Sequence, residues 1–143
     1  MLKVQLLHED AVAPTVAHSG DLGYDLYALE DTNLEYNPTK VPTGVAVELN
    51  IAGCSYGFFV KDRSSMAAQG LVTSGGVIDS GYCGEIIVTI SDTKNRALPY
   101  LIKRGSKIAQ LVPIKCTTWG NIETVETLSE SNRGSKGFGS SGI

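Results

Sequence analysis

The stretch SGGVIDSGYCGE (74–85) holds one acid, Asp79, and one aromatic, Tyr82, among glycines at 75, 76, 81 and 84. Apolar runs enter and leave it, which predicts two strands joined by a tight hairpin. Gly81 takes positive φ at no steric cost, so the turn falls near Ser80-Gly81, with Asp79 and Tyr82 at the tip. Acids and glycines are also ordinary turn residues. Taken alone, the stretch reads as a turn.

Four other stretches have the wrong composition for a core. HSGDLGYDL (18–26) sets Asp21 and Asp25 four apart among glycines. Beside phosphates such acids suit Mg²⁺, a hard cation that takes oxygen ligands; in isolation they are loop acids. KDRSSMA (61–67) puts Arg63, Ser64 and Ser65 at the start of a predicted helix. Free N–H groups and partial positive charge make a helix start suited to phosphate, although an ordinary cap has the same look. GSKIAQL (105–111) interrupts an apolar strand with Gln110. NRGSKGFGSSG (132–142) combines Arg133 and Lys136 with four glycines, the hydroxyls of Ser135, Ser140 and Ser141, and a single large apolar side chain, Phe138. Converging backbone N–H groups grasp anions and an aromatic offers a platform, so this tail reads either as an arm that closes over a nucleotide or as a Gly/Ser linker.

The elements that position these groups are mostly strands. Residues 1–7, 24–29, 40–49 (with a Pro-Thr-Gly break) and 55–61 alternate or are β-branched. A helix of at most two turns, capped by Ser64 or Ser65, runs through Gln69 and ends at Gly70. Another strand follows in IKRGSKIAQLVPIK, and CTTWGNIETVETL reads as a last strand pair. Short strands with regular turns and one short helix predict an all-β sandwich or barrel. From Ser129 onward apolar content almost vanishes, which divides the chain into a β domain over 1–128 and an arm over 129–143.

Composition excludes several classes. Hydrophobic content of 42% with 19% charged residues is globular, and 143 residues suffice for one domain with a real core. A net charge of −3 gives no support for nucleic acid or an anionic membrane, so a polyanionic ligand needs a local site. No segment has the length of a membrane span or the apolar core of a signal peptide, and the expected location is cytoplasmic, or host cytosol for a viral protein. Cys54, Cys83 and Cys116 are odd in number and lack CxxC spacing, which points to reduced thiols rather than zinc or a disulfide framework. His8 and His18 read as solvated. GFGSSG (137–142) fits GxGxxG literally, but only Ile143 follows it, so no dinucleotide fold can be built on it.

Taken together, GYDL, DRSSMAAQGL, GGVIDSGYCGE, KIAQL and RGSKGFGSSG resemble the five ordered motifs of the trimeric dUTPase (dUTP diphosphatase) family, from residue 23 to 142. The resemblance implies a jelly-roll-like β-barrel or sandwich and a homotrimer whose three sites are each built from all three chains. It implies conversion of dUTP and water to dUMP and pyrophosphate, with Mg²⁺ on the triphosphate. By resemblance Asp79 orients the attacking water and touches the deoxyribose 3′-OH, while Tyr82 packs beneath the sugar and excludes a 2′-OH. Backbone around Gly76 and Ile87 reads uracil. Arg63, Ser64 and the Ser65 amide, with Gln110, hold phosphates, and Asp25 holds Mg²⁺ through water. Arg133 contacts the terminal phosphates, Phe138 stacks on uracil, and Gly139, Ser140 and Ser141 grip the γ-phosphate. The chain departs from the family pattern at Cys83 (Arg or Gln more often), Asp62 (Pro), Leu22 (a small residue) and Lys136 (Gly).

Two rivals share the fold. A dCTP deaminase carries a catalytic Glu ten residues after the hairpin Asp; here that position is Thr89, which cannot carry the proton. A non-catalytic binding or regulatory trimer would lack the acid or the arm, and both are present.

Overall fold

The computed structural model describes residues 1–94, 96–117 and 122–129. Eleven strands and one helix are seen among them: β1 (Leu2–Leu6), β2 (Tyr24–Tyr27), β3 (Thr32–Asn33), β4 (Thr39–Pro42), β5 (Val45–Ile51), β6 (Cys54–Lys61), α1 (Ser64–Ala68), β7 (Leu71–Ser74), β8 (Val77–Ile78), β9 (Ile87–Asp92), β10 (Leu101–Ile102) and β11 (Lys107–Lys115). The fold is all-β, as the strand pattern predicts, and jelly-roll-like, as the resemblance implies. One sheet runs β1-β5-β6-β11-β2, with β8 also on β6; a second runs β4-β9-β7; β3 and β10 form a third.

Alternation explains which faces meet. Val88 and Ile90 of β9 are buried, whereas Ile87 is exposed. Val41, Val45, Phe58, Val60, Leu71, Ile86, Ile108 and Leu111 join them in one apolar cluster drawn from all the larger sheets. Each fully buried aliphatic side chain stabilises the fold by roughly 1.5–3 kcal/mol. The break foreseen in 40–49 falls at Thr43-Gly44, where the chain leaves the second sheet for the first.

Three expectations need correction. The apolar runs on either side of Asp79 are not partners. β8 pairs with β6, matching Ile78 to Phe58, whereas β9 pairs with β4 and β7. Gly76 makes the first pairing possible: a Cβ there would lie 2.4 Å from the Val60 carbonyl oxygen. Residues 79–86 therefore cross between sheets, although the turn itself stands where expected. The Tyr82 N–H donates to the Asp79 carbonyl at 3.2 Å, and Gly81 has φ +86°. That is the type II pattern, with glycine at the third turn position.

The second correction concerns the helix start. The cap of α1 is Arg63, in extended conformation, and no side chain caps the helix. Arg63 keeps the first bond through its carbonyl, which accepts from the Met66 and Ala67 N–H groups. Ser64 and Ser65 lie inside the first turn, where their hydroxyls are not used as caps. The third concerns CTTWGNIETVETL: residues 116–117 and 122–129 contain no strand. Ile122 and Leu128 are 96% and 87% exposed, so neither is packed into the core.

Candidate functional site

A cleft of about 460 Å³ opens at the start of α1 and is lined by Asp25, Arg63, Ser64 and Gln110, with Asp21, Leu22 and Gly23. Strand register assembles it. β11 runs between β2 and β6, so Gln110 lies opposite Asp25 on one side and Lys61 on the other. Two residues beyond Lys61 the chain reaches Arg63. Gln110 donates through Nε2 to the Asp62 carbonyl at 2.8 Å. Its amide oxygen lies over Gly23, where a Cβ would be 2.4 Å away. The glycine of GYDL is thus a packing requirement of Gln110.

Asp25 is the electrostatic centre of this cleft. One carboxylate oxygen accepts from Arg63 Nε at 2.8 Å, and the other pairs with Lys107 Nζ at 2.7 Å. Its side chain is 13% exposed. Burial disfavours the charged carboxylate, but hydrogen bonds and charge from Lys107 and Arg63 outweigh burial and hold the pKa below the ordinary aspartate range. With a depressed folded pKa, this stabilisation is complete above the unfolded value of about 4 and is lost as pH falls through the folded one. The trio of Asp25, Arg63 and Lys107 carries net charge +1. Arg63 has five N–H donors. Among the described residues its side chain uses them on Asp25 and, weakly at 3.4 Å, on Ser65. Arg63 also lines the cleft.

Asp62 shows why this chain tolerates an acid where the family pattern has proline. Its carboxylate accepts from both the Thr73 N–H and the Thr73 hydroxyl, at 2.5 and 2.6 Å. Those bonds tie the residue before Arg63 to β7, restraining a segment that a proline ring would otherwise stiffen. The sequence flagged Asp62 only as a departure.

The acid and aromatic of the 79–86 loop lie in a separate cleft of about 270 Å³, with Val77, Ile78, Glu85 and Ile87. Among the described residues no donor engages the Asp79 carboxylate. The Tyr82 hydroxyl donates to the Glu85 carbonyl at 3.1 Å, and its ring lies over Gly84, where a Cβ would meet the hydroxyl oxygen at 2.5 Å. Gly76 lines a third cleft, between β6 and the end of β7, which shares Val77 with the Asp79 cleft. The Gly76 carbonyl already accepts from the Val60 N–H at 2.7 Å. Gly76 and Ile87, expected to act together, flank Val77 from two sides.

The structure thus brings Asp25, Arg63, Ser64 and Gln110 together, and separately Asp79, Tyr82 and Ile87. These two groups share no lining residue. Ser65 lies next to the first group through Arg63. Arg133, Phe138, Gly139, Ser140 and Ser141, and the whole run 130–143, lie outside the described residues. Lys107 and Glu85 were inside quoted motifs but had no role; only the fold shows that they touch Asp25 and the β4–β5 corner.

These side chains do not fit a directly ligated Mg²⁺; the contact expected of Asp25 is through water. Both Asp25 oxygens are engaged by cations, and among the described residues no three His, Cys, Asp or Glu side chains gather as ligands. Asp21, the other acid of the cleft, accepts from the His18 N–H at 2.9 Å.

The dUTPase family model matches residues 9–142. This chain belongs to the dUTPase family. It is 40% identical over 147 residues to the deoxyuridine 5′-triphosphate nucleotidohydrolase of Clostridioides difficile, with 99% of this chain and 98% of the relative covered. The corresponding protein of Leifsonia xyli subsp. xyli is 43% identical over 133 residues, covering 90% and 84%. Among solved structures, the dUTPase of Staphylococcus bacteriophage 80alpha with dUpNHpp matches with TM-score 0.86 at 30% identity, over 100% of this chain and 99% of that one. A variant dUTPase from phage phi11 of S. aureus, described with a structural Mg(II) ion, matches with TM-score 0.77 at 28% identity, over 91% and 99%. Thr89 lies within β9, paired with Lys40 and Ser74. No helix among the described residues is long and apolar enough to cross a membrane.

Proposed function

We propose that this chain hydrolyses dUTP to dUMP and pyrophosphate by attack of water on the α-phosphorus, as a homotrimer with sites shared between subunits. Such an activity keeps uracil out of DNA and supplies dUMP for thymidylate synthesis. The observation that carries the reading is the division of labour between two clefts. One presents the Arg63 guanidinium and the Ser64 hydroxyl, suited to a triphosphate; the other pairs a carboxylate unengaged among the described residues with an exposed aromatic, suited to a nucleoside and a water.

Asp79 accepts a proton from the water as it attacks, and holds the 3′-OH of the sugar. Tyr82 lies beneath the deoxyribose and leaves no room for a 2′-OH. Backbone around Gly76 and Ile87 reads the uracil edge. Arg63, Ser64 and Gln110, with the Ser65 amide, align the phosphates and neutralise charge, which supplies most of the acceleration in phosphoryl chemistry. The arm, residues 129–143, closes the site with Arg133, Phe138, Gly139, Ser140 and Ser141. Mg²⁺ enters as part of the substrate, on its phosphates, where hard oxygen ligands are supplied.

The absence of a shared lining residue supports assembly of a site from different subunits. Mixing two inactive variants tests this. Asp79→Asn chains retain Arg63, and Arg63→Ala chains retain Asp79. Random exchange in a closed threefold ring should restore about a quarter of wild-type activity. No recovery after verified exchange would place both clefts' work within one chain.

Asp25 provides a separate test. As the anchor of Arg63 and Lys107, its replacement by Asn should lower kcat/KM about ten- to a hundredfold through loss of alignment. The Mg²⁺ concentration for half-maximal activity should stay unchanged, because the nucleotide sets it. A tenfold or greater rise in that concentration would put Asp25 on the ion.

A further inference from the structure

We infer that Glu85 is a positioning residue that sets how strongly the sugar pocket rejects a ribonucleotide; this rests on Tyr82 lying beneath the sugar, as proposed above. Glu85 reaches away from its own loop to the β4–β5 corner. Its Oε1 accepts from the Thr43 N–H at 3.1 Å and from the Gly44 N–H at 2.8 Å. A carboxylate on two backbone donors is a charge-assisted contact, stronger than a neutral one. Two further bonds fasten the adjoining residue to the same corner. The Thr43 hydroxyl, in a residue only 1% exposed, donates to the Ile86 carbonyl at 2.5 Å. The Ile86 N–H donates to the Val45 carbonyl at 2.8 Å.

The loop that crosses between sheets is therefore stapled at its downstream end, and Tyr82 hangs from that staple. Its hydroxyl bonds the Glu85 carbonyl and its ring rests on Gly84. The height of the ring relative to the cleft is set by residues 84 and 85, whose own position is set by Thr43 and Gly44. Rejection of an added hydroxyl by contact alone is limited, to about a hundredfold where no polar group is left unpaired. It works only if the ring cannot recede. Glu85 supplies that stiffness through its bonds to Thr43 and Gly44.

The readout is the ratio of kcat/KM for dUTP to kcat/KM for UTP, which a purely structural role would leave alone. Glu85→Ala should lower the ratio about tenfold. Glu85→Gln, which keeps an oxygen acceptor, should restore it to within about threefold of wild type. Thr43→Val, which preserves shape but removes the bond to Ile86, should lower the ratio in the same direction; it decides the matter if Glu85→Ala does not fold. Reduced stability with an unchanged ratio in the folded variants would overturn the proposal. Failure of the wild-type chain to hydrolyse dUTP would instead overturn the parent reading, so the two failures are distinguishable.

Discussion

Asp79→Asn should lower kcat for dUTP by about 10²–10⁴-fold, the range for loss of a positioned general base, while dUTP binding changes little. The geometry makes this substitution informative. Asp79 opens the turn whose N–H···O bond comes from Tyr82, and that bond uses the backbone carbonyl, not the side chain. No donor among the described residues engages its carboxylate, so exchange for an amide of equal size removes no hydrogen bond among them. Asn can still accept a hydrogen bond from the sugar, but it cannot take a proton from water. Steady-state rates beside equilibrium binding of a non-hydrolysable dUTP analogue separate the two roles. Wild-type turnover by Asp79→Asn would mean that the base lies elsewhere.

Removal of the chain from Ser131 onward should leave a folded protein with kcat/KM reduced at least about a hundredfold. Among the described residues, every buried apolar residue of the core lies between Ala11 and Leu111, all upstream of the cut. What it removes is Arg133, Phe138 and the serine- and glycine-rich end, the charge and platform proposed to close over the nucleotide. Cationic groups delivered to a transferring phosphoryl centre are worth 10³ or more in related chemistry, so the expected loss is conservative. Thermal unfolding should shift by no more than a few degrees. Loss of the cooperative transition would show that the tail is structural.

Much of the frame was legible because local rules govern it. Gly81 and Gly70 stand where positive φ is needed, and the chain turns or stops there. The alternation in β1, β2 and β6 predicted strands within two or three residues of their ends. The pairing of β8 was not legible. Two apolar runs around a turn look like a hairpin, yet which strand a two-residue segment joins is decided by long-range packing. Here the close approach of Gly76 to Val60 decides it. The protein partners of Asp25 were likewise not legible. Its cations are in the protein: Arg63 at the cap of α1 and Lys107 on β11, brought in by register rather than by sequence spacing. Glu85 was hidden for the same reason, since its partners Thr43 and Gly44 lie on another sheet corner. The family motifs carried the grouping of site residues; the fold shows that one chain holds them in separate clefts.

The most direct test of the account is pyrophosphate release, with Mg²⁺ present, from dUTP, dCTP, dTTP and UTP under identical conditions. The proposed nucleoside cleft, with Tyr82 against a 2′-OH and backbone groups on the uracil edge, predicts rapid release from dUTP, with dUMP as co-product, and far slower release from the other three. Ammonia from dCTP, or no turnover of any of the four, would contradict it.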